Sequence, residues 1–380
     1  MKYALQILLG SFSTQERNAG KDEVIGRLEE VFKLLPVEHV FFGWYTDKDI
    51  NREIIDFIHN HGKKAWLWIP VFSESPASVD SDRQIGYLSA GLDAGEKIRM
   101  RDYNFCCPSS EKNRDIVYNL YMEHFSDVGF DGIFLDKIRQ PGFSDGLERA
   151  LGCFCPRCKE HYKKYDVDVE LLVEKVVNKP NILLPVSYSG CKYSFADNDV
   201  NNYYIAKAAC ISEGIISITN RFKDIGLKVG LDTFAPVISW FVGQDILKLA
   251  KHVDFIKPMI YRTVNLPAGI PYEVAAIVQC IPNVEAKARL CNLLGVDEIS
   301  SDDSAKRQYM DMADIGCDIY PGFEIFNVND RDPTDTSYAT TQAALYSELG
   351  AKQTVLSYTL MGDTMRNIKA LSTLPFNNWS

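Results

Sequence analysis

Gly129-Phe130-Asp131-Gly132-Ile133-Phe134-Leu135-Asp136-Lys137-Ile138-Arg139-Gln140-Pro141 reads as a buried strand that ends on an acid. Residues 132–135 form its apolar body, Asp136 stands at its exit, and Lys137 and Arg139 follow. Desolvating a carboxylate at the end of an apolar strand costs several kcal/mol unless something pairs with it or uses it. In a parallel α/β barrel, strand exits form the face on which active sites are built. An ion pair with Lys137 or Arg139 is the simplest account of Asp136. Similar acids at later strand exits point further than that.

Outward from this strand, apolar runs and amphipathic stretches alternate. Strands are expected at 3–10, 40–45, 65–72, 132–135, 229–234, 255–261, 319–326 and 354–359. Helical patterns fill 21–35, 48–61, 111–128, 198–225, 244–252, 336–349 and 365–371, with two more between 262 and 315. Eight such strands, each followed by a helix, close most simply as a (β/α)8 TIM barrel. That barrel needs roughly 250 residues, and the chain has 380. The surplus lies at 73–110 and 141–197, after the third and fourth strands, where long loops crown the catalytic face. With no linker, repeat or shift of composition, 1–380 reads as one barrel domain carrying two insertions.

A net charge of −10 argues against a nucleic-acid or anionic-membrane partner. No apolar stretch reaches the roughly 18 residues of a membrane span. The N-terminal run carries Gln6 and lacks a small-residue cleavage site, so it reads as the first strand and not as an export signal. With ten cysteines and no such signal, a cytoplasmic, reducing setting is expected.

Three carboxylates stand where barrel strands emerge: Asp136 on the fourth, Asp232 on the fifth and Glu324 on the seventh. Glycoside hydrolysis needs two such groups, one to protonate the leaving oxygen and one to attack or to activate water. None of the six histidines ends a strand, so barrels with strand-end histidine metal ligands fit poorly. The chain has no nucleophile elbow, phosphate-binding loop or dinucleotide fingerprint, and so no expected organic cofactor. Lys137, Arg139, Lys257, Tyr261, Trp44 and Trp68 are candidate substrate-binding residues at or near strand exits. Strand alternation sends about half of such side chains into the helix layer instead.

Cys153-Phe154-Cys155-Pro156-Arg157-Cys158 places three thiols within six residues on a loop. Zinc in a closed structural site takes four thiolate or imidazole ligands. Cys107, Cys106 and His161 are the candidates for the fourth, with Cys107 favoured because it would let one ion tie the two long insertions together.

These residues resemble a family of glycoside hydrolase-like TIM barrels. The likeness rests on Phe130 to Arg139, the Cys-x-Cys-x-x-Cys loop, Cys107-Pro108, Leu231 to Pro236 and Ile256 to Tyr261. An upstream cysteine with Cys-x-Cys-x-x-Cys is also similar to the loop zinc site of certain barrel β-galactosidases. Those enzymes carry Asn-Glu at the end of the fourth strand, where this chain has Leu135-Asp136. Asp136 sits closer to the fourth-strand nucleophile of α-amylase-like enzymes. The resemblance implies carbohydrate chemistry on an oligosaccharide or glycoside. The expected roles are Asp136 as nucleophile or base, Glu324 as general acid/base, and Asp232 as a second acid or a ligand for a sugar hydroxyl. A barrel that binds sugar without cleaving it, or one using the acids as metal ligands, are the alternatives.

Overall fold

The computed structural model describes residues 1–10, 19–73, 105–281, 285–325 and 335–377. Its strands are β1 (Lys2–Leu8), β2 (Val37–Gly43), β3 (Lys64–Pro70), β4 (Gly132–Asp136), β5 (Pro185–Ser189), β6 (Lys192–Phe195), β7 (Lys228–Phe234), β8 (Phe255–Met259), β9 (Asp318–Ile319), β10 (Gly322–Glu324) and β11 (Gln353–Ser357). All but β5 and β6 join one parallel sheet in the order β10-β11-β1-β2-β3-β4-β7-β8-β9. β10 also pairs with β8 through Gly322 and Met259, which closes the sheet on itself. The fold is a (β/α)8 TIM barrel. Its seventh stave is split because Pro321, between β9 and β10, has no N–H to give to the ladder. The Pro321 carbonyl still accepts from Val355 N at 3.0 Å.

The insertion after β4 carries the helices Leu147–Ala150, Pro156–Lys163 and Val169–Asn178 and an antiparallel β5–β6 hairpin. It leads into the 27-residue helix Asn198–Asp224. The insertion expected at 73–110 falls largely outside the described residues. Two local expectations change. The helix expected at 244–252 is a short turn, Ile246–Leu249, because Gly243 turns the chain through a left-handed conformation and Asp245 caps anew. Between β8 and β9 there are three helices where two were expected. Gly295, at φ 73°, ends one of them, and the Ser301 hydroxyl caps the next.

Alternation decides what fills the barrel. Its floor is a stack of rings, with Phe41 4.6 Å from Phe134 and 5.5 Å from Phe255 between centroids, and Tyr320 4.7 Å from Phe255. Trp66 stands edge-on to Phe255 at 5.1 Å. Rings of this size fit because inward positions on neighbouring strands carry no side chain. A Cβ on Gly132 would lie 2.5 Å from the Trp66 ring, and one on Gly230 would lie 2.1 Å from the Phe255 ring. Aromatic burial and ring packing of this kind dominate a core. Above this floor the inward residues turn polar, and that layer carries the chemistry.

Gly230→Ala should therefore destabilise the protein by about 1–3 kcal/mol through overpacking, read as a lower urea midpoint with an unchanged m-value. An unchanged midpoint would show that the floor is looser than its ring contacts imply.

Candidate active site and cysteine centre

The polar layer is built by strand register. Asp232 and Lys257 are direct partners across β7 and β8. Leu135 pairs with Leu231, so Asp136 and Asp232 follow side by side at the mouth of the barrel. Lys257 Nζ lies 3.0 and 3.1 Å from the two Asp232 oxygens, and only Oδ2 receives a well-directed hydrogen bond. The same ammonium donates to Gln6 Oε1 on β1 at 3.3 Å and lies 2.6 Å from the Tyr261 hydroxyl. Ser357 on β11 donates to Gln6 Oε1 at 3.0 Å. The Lys257 stem crosses Gly322, where a Cβ would sit 2.3 Å from Lys257 Cε.

The two aspartates differ sharply in surroundings. Asp136 is 9% exposed and keeps contact with the mouth. Its Oδ2 accepts from the Trp68 indole N–H at 3.0 Å, and its Oδ1 accepts from Lys137 N at 2.5 Å. Asp232 is 1% exposed. Burial pushes its carboxyl up to about 7; the Lys257 charge pulls it down, and the neighbouring Asp136 pushes it up again. Burial also pulls the Lys257 ammonium down, against the opposing pull of Asp232 and Asp136. Two adjacent carboxyls in unlike settings are the usual basis for separate acid and base roles.

Glu324 lies elsewhere in the layer and is wholly enclosed. Its Oε1 accepts from Arg262 N, Thr263 N and the Thr263 hydroxyl at 2.9, 2.6 and 2.6 Å, and its Oε2 accepts from the Tyr338 hydroxyl at 2.8 Å. Burial pushes this carboxyl up, while Thr263 and Tyr338 pull it down. Both oxygens are thus engaged in fastening the turn after β8 to the helix Thr336–Glu348.

The remaining candidates divide between the mouth and the interior. Trp44 and Trp68 form a tilted pair at 5.4 Å, and Lys137 Nζ stands 5.0 Å over the Trp44 ring. Tyr261 packs against Tyr358 at 4.7 Å on the opposite side of the ring of strands. Arg139 is used inside the fold. Its guanidinium lies between the Phe105 and Phe234 rings at 4.9 and 4.4 Å and bonds to Gln140 O at 3.1 Å. Sequence reading missed Gln6 and Ser357 as members of the layer. A lone amide in the apolar β1 was the available signal for Gln6. Lys207, also missed, is fully buried and donates to Ala150 O and Phe241 O at 2.6 and 2.8 Å, tying the insertion to the loop after β7.

The sulfur atoms of Cys107, Cys153, Cys155 and Cys158 all lie within 4.8 Å of one another, and all four residues are buried. Cys107 Sγ is 3.5 Å from both Cys155 Sγ and Cys158 Sγ. A tetrahedral ion with metal–sulfur bonds of about 2.3 Å needs sulfur–sulfur edges of about 3.8 Å, so the cluster fits a metal site. Contacts that pull the Cys155 thiol down push the Cys158 thiol up, so without a cation the four thiols cannot all ionise side by side. Cys155 caps the helix Pro156–Lys163 and Cys158 lies in its first turn, where helix polarity favours thiolate. Of the three candidates for the fourth position, Cys107 is the one in the cluster. His161 Nε2 lies 3.1 Å from Ala206 O, and Cys106 stands outside the four.

No family model matches the chain, and no curated protein matches it in sequence. Solved structures do match. The PgaB (BpsB) glycoside hydrolase domain from Bordetella bronchiseptica superposes with a TM-score of 0.57 at 13% identity, over 98% of each chain. An alpha-L-fucosidase isoenzyme 2 from Paenibacillus thiaminolyticus gives 0.53 at 14% identity, covering 98% of this chain and 49% of that one. Both neighbours share the (β/α)8 barrel of this chain. At such identities the likeness speaks for the fold, and the chain spans about half the length of the fucosidase. No helix among the described residues is long and apolar enough to cross a membrane.

Protein purified without chelator should carry about one transition-metal ion per chain, measured by elemental analysis. Cys155→Ser should empty the site and lower the melting temperature, whereas Cys106→Ser and His161→Ala should keep the ion. A metal-free wild-type protein would mean that the cluster is four reduced thiols.

Proposed function

We propose that the protein hydrolyses a glycosidic bond, with Asp136 as nucleophile or base and Asp232 as general acid. The observation that carries this reading is the side-by-side placement of the two carboxyls at the barrel mouth. One is held by an indole N–H and is 9% exposed; the other is 1% exposed and pushed up to about 7. Asp232 Oδ1 is buried 3.0 Å from Lys257 Nζ without a well-directed hydrogen bond, and in this reading it is the oxygen that carries the proton for the leaving group. Adjacent placement on neighbouring strands suits the roughly 5 Å carboxyl spacing of retaining enzymes better than the roughly 6.5–9.5 Å of inverting ones. Retention is therefore the proposed outcome, with a glycosyl ester on Asp136 that water then cleaves.

Glu324 was expected from sequence to be the acid. In this proposal it supports the site instead, because its four donors leave no oxygen for a leaving group. The Trp44–Trp68 pair offers aromatic faces for a sugar ring, with Lys137 beside it. The ion we assign to the cysteine cluster is zinc. Four thiolates leave it no open position for water, so its part is to tie the loop at Cys107 to the insertion at 153–158. Ten cysteines without a disulfide suit a reducing, cytoplasmic setting.

A second reading has one observation behind it. The Asp232–Lys257 ion pair could be permanent, leaving a barrel that binds oligosaccharide without turnover. A panel of glycans and aryl glycosides, with product anomers followed by NMR, separates the two. Turnover with retained configuration is expected, falling as pH rises through about 7, where Asp232 gives up its proton. Asp136→Asn should reduce kcat by at least about 10^3-fold with the fold intact. Asp232→Asn should cost about 10^2–10^4-fold on poor leaving groups and far less on good ones. Binding without any turnover would support the second reading.

A further inference from the structure

Lys257 was expected from sequence to bind substrate. Its surroundings assign it a different part. Its side chain is 0% exposed at the centre of the polar layer. An ammonium has three N–H donors, and here three partners take them: Asp232, Gln6 and Tyr261. They come from β7, from β1 and from the turn after β8. Gly322 is shaped around the stem, since any Cβ there would collide with it. No hydrogen of the ammonium remains for a sugar hydroxyl.

We propose that Lys257 is a positioning residue that acts on the substrate only through Asp232, fixing the orientation of that carboxyl and stabilising the carboxylate left when its proton is given away. This rests on the assignment of Asp232 as the general acid. When the proton moves from Asp232 Oδ1 to the leaving oxygen, a negative charge appears in an enclosed site. The adjacent ammonium offsets that charge without reorganising, which is how fixed charges serve a proton donor best. When water attacks in the second half-reaction, the same carboxylate takes the proton back, and Lys257 is again beside a neutral acid.

The groups facing Asp232 leave Lys257 as the sole cation there among the described residues. Asp136 on β4 is a like charge, and Tyr261 lies behind with Glu324 and Tyr358 around it. Loss of the ammonium would leave burial and Asp136, both favouring the protonated carboxyl, opposed only by the weaker hydrogen bond from Gln6. Such an acid holds its proton too tightly to give it to a poor leaving group.

The test measures the Asp232 carboxyl directly. Protein labelled with 13C at aspartate carboxyl carbons is titrated by NMR, with the Asp232 resonance assigned by its loss in Asp232→Asn. Lys257→Met should move that titration upward by at least one pH unit. It should also cut kcat by about 10–100-fold on poor leaving groups and hardly at all on activated aryl glycosides. In the Asp232→Asn background, Lys257→Met should cost nothing more, because its route to the substrate is already gone. Should Lys257→Met fail to fold, Tyr261→Phe keeps the charge and removes one acceptor. The ammonium then leans harder on Asp232, and the titration should move down. An Asp232 titration unmoved in the folded Lys257→Met variant, or unmoved in Tyr261→Phe, overturns the proposal. So does full additivity with Asp232→Asn. Because the NMR readout needs no substrate, a shifted titration in a protein that cleaves no glycoside would overturn the hydrolase reading alone.

Discussion

A fully enclosed ammonium is among the most demanding groups a barrel can hold, and the polar layer of this one is organised around Lys257. Its cost of desolvation is several kcal/mol, and it is met by one carboxyl and two neutral oxygens supplied by three separate parts of the barrel. Removing any one of these leaves the charge short of a partner. The same arrangement holds Asp232 beside Asp136, where a second negative charge is disfavoured and the Asp232 carboxyl is pushed up. Structure and chemistry therefore depend on one contact, the 3.0–3.1 Å approach of Lys257 to Asp232.

Below this layer the barrel is aromatic. The rings of Phe41, Trp66, Phe134, Phe255 and Tyr320 fill it to the base of the polar residues, and inward glycines give them room. A floor closed by packed rings puts low-dielectric material beneath the carboxyls, so their electrostatic contrast is preserved. Around the rim, the cysteine cluster joins the loop at Cys107 to the insertion, and Lys207 joins that insertion to the loop after β7. These ties join segments that strand register alone does not reach.

The barrel itself was legible because its signals are local. Apolar runs of strand length, amphipathic stretches between them and acids at strand exits each need only a few neighbouring residues to be read. The cysteine centre was legible for the same reason in Cys153, Cys155 and Cys158; its fourth member, Cys107, needed the fold to separate it from Cys106 and His161. The partnership of Asp232 with Lys257 was not written in spacing, since it arises from register across two strands. Glu324 looked like Asp136 in sequence, an acid in an apolar run, and only its four donors distinguish the two. Arg139 follows Asp136 by three residues yet turns inward between Phe105 and Phe234, a choice made by rings distant in the chain.

The central claim is that Asp232 carries a proton beside a charged Lys257. Neutron diffraction from a deuterium-exchanged crystal near pH 6 observes both sites at once. The account predicts a deuteron on Asp232, on the oxygen that takes no hydrogen bond from Lys257, and three deuterons on Lys257 Nζ. A bare Asp232 carboxylate against the ammonium would contradict it and leave a fixed ion pair with no acid to offer, and a Lys257 with two deuterons would contradict it by leaving no charge to stabilise the carboxylate.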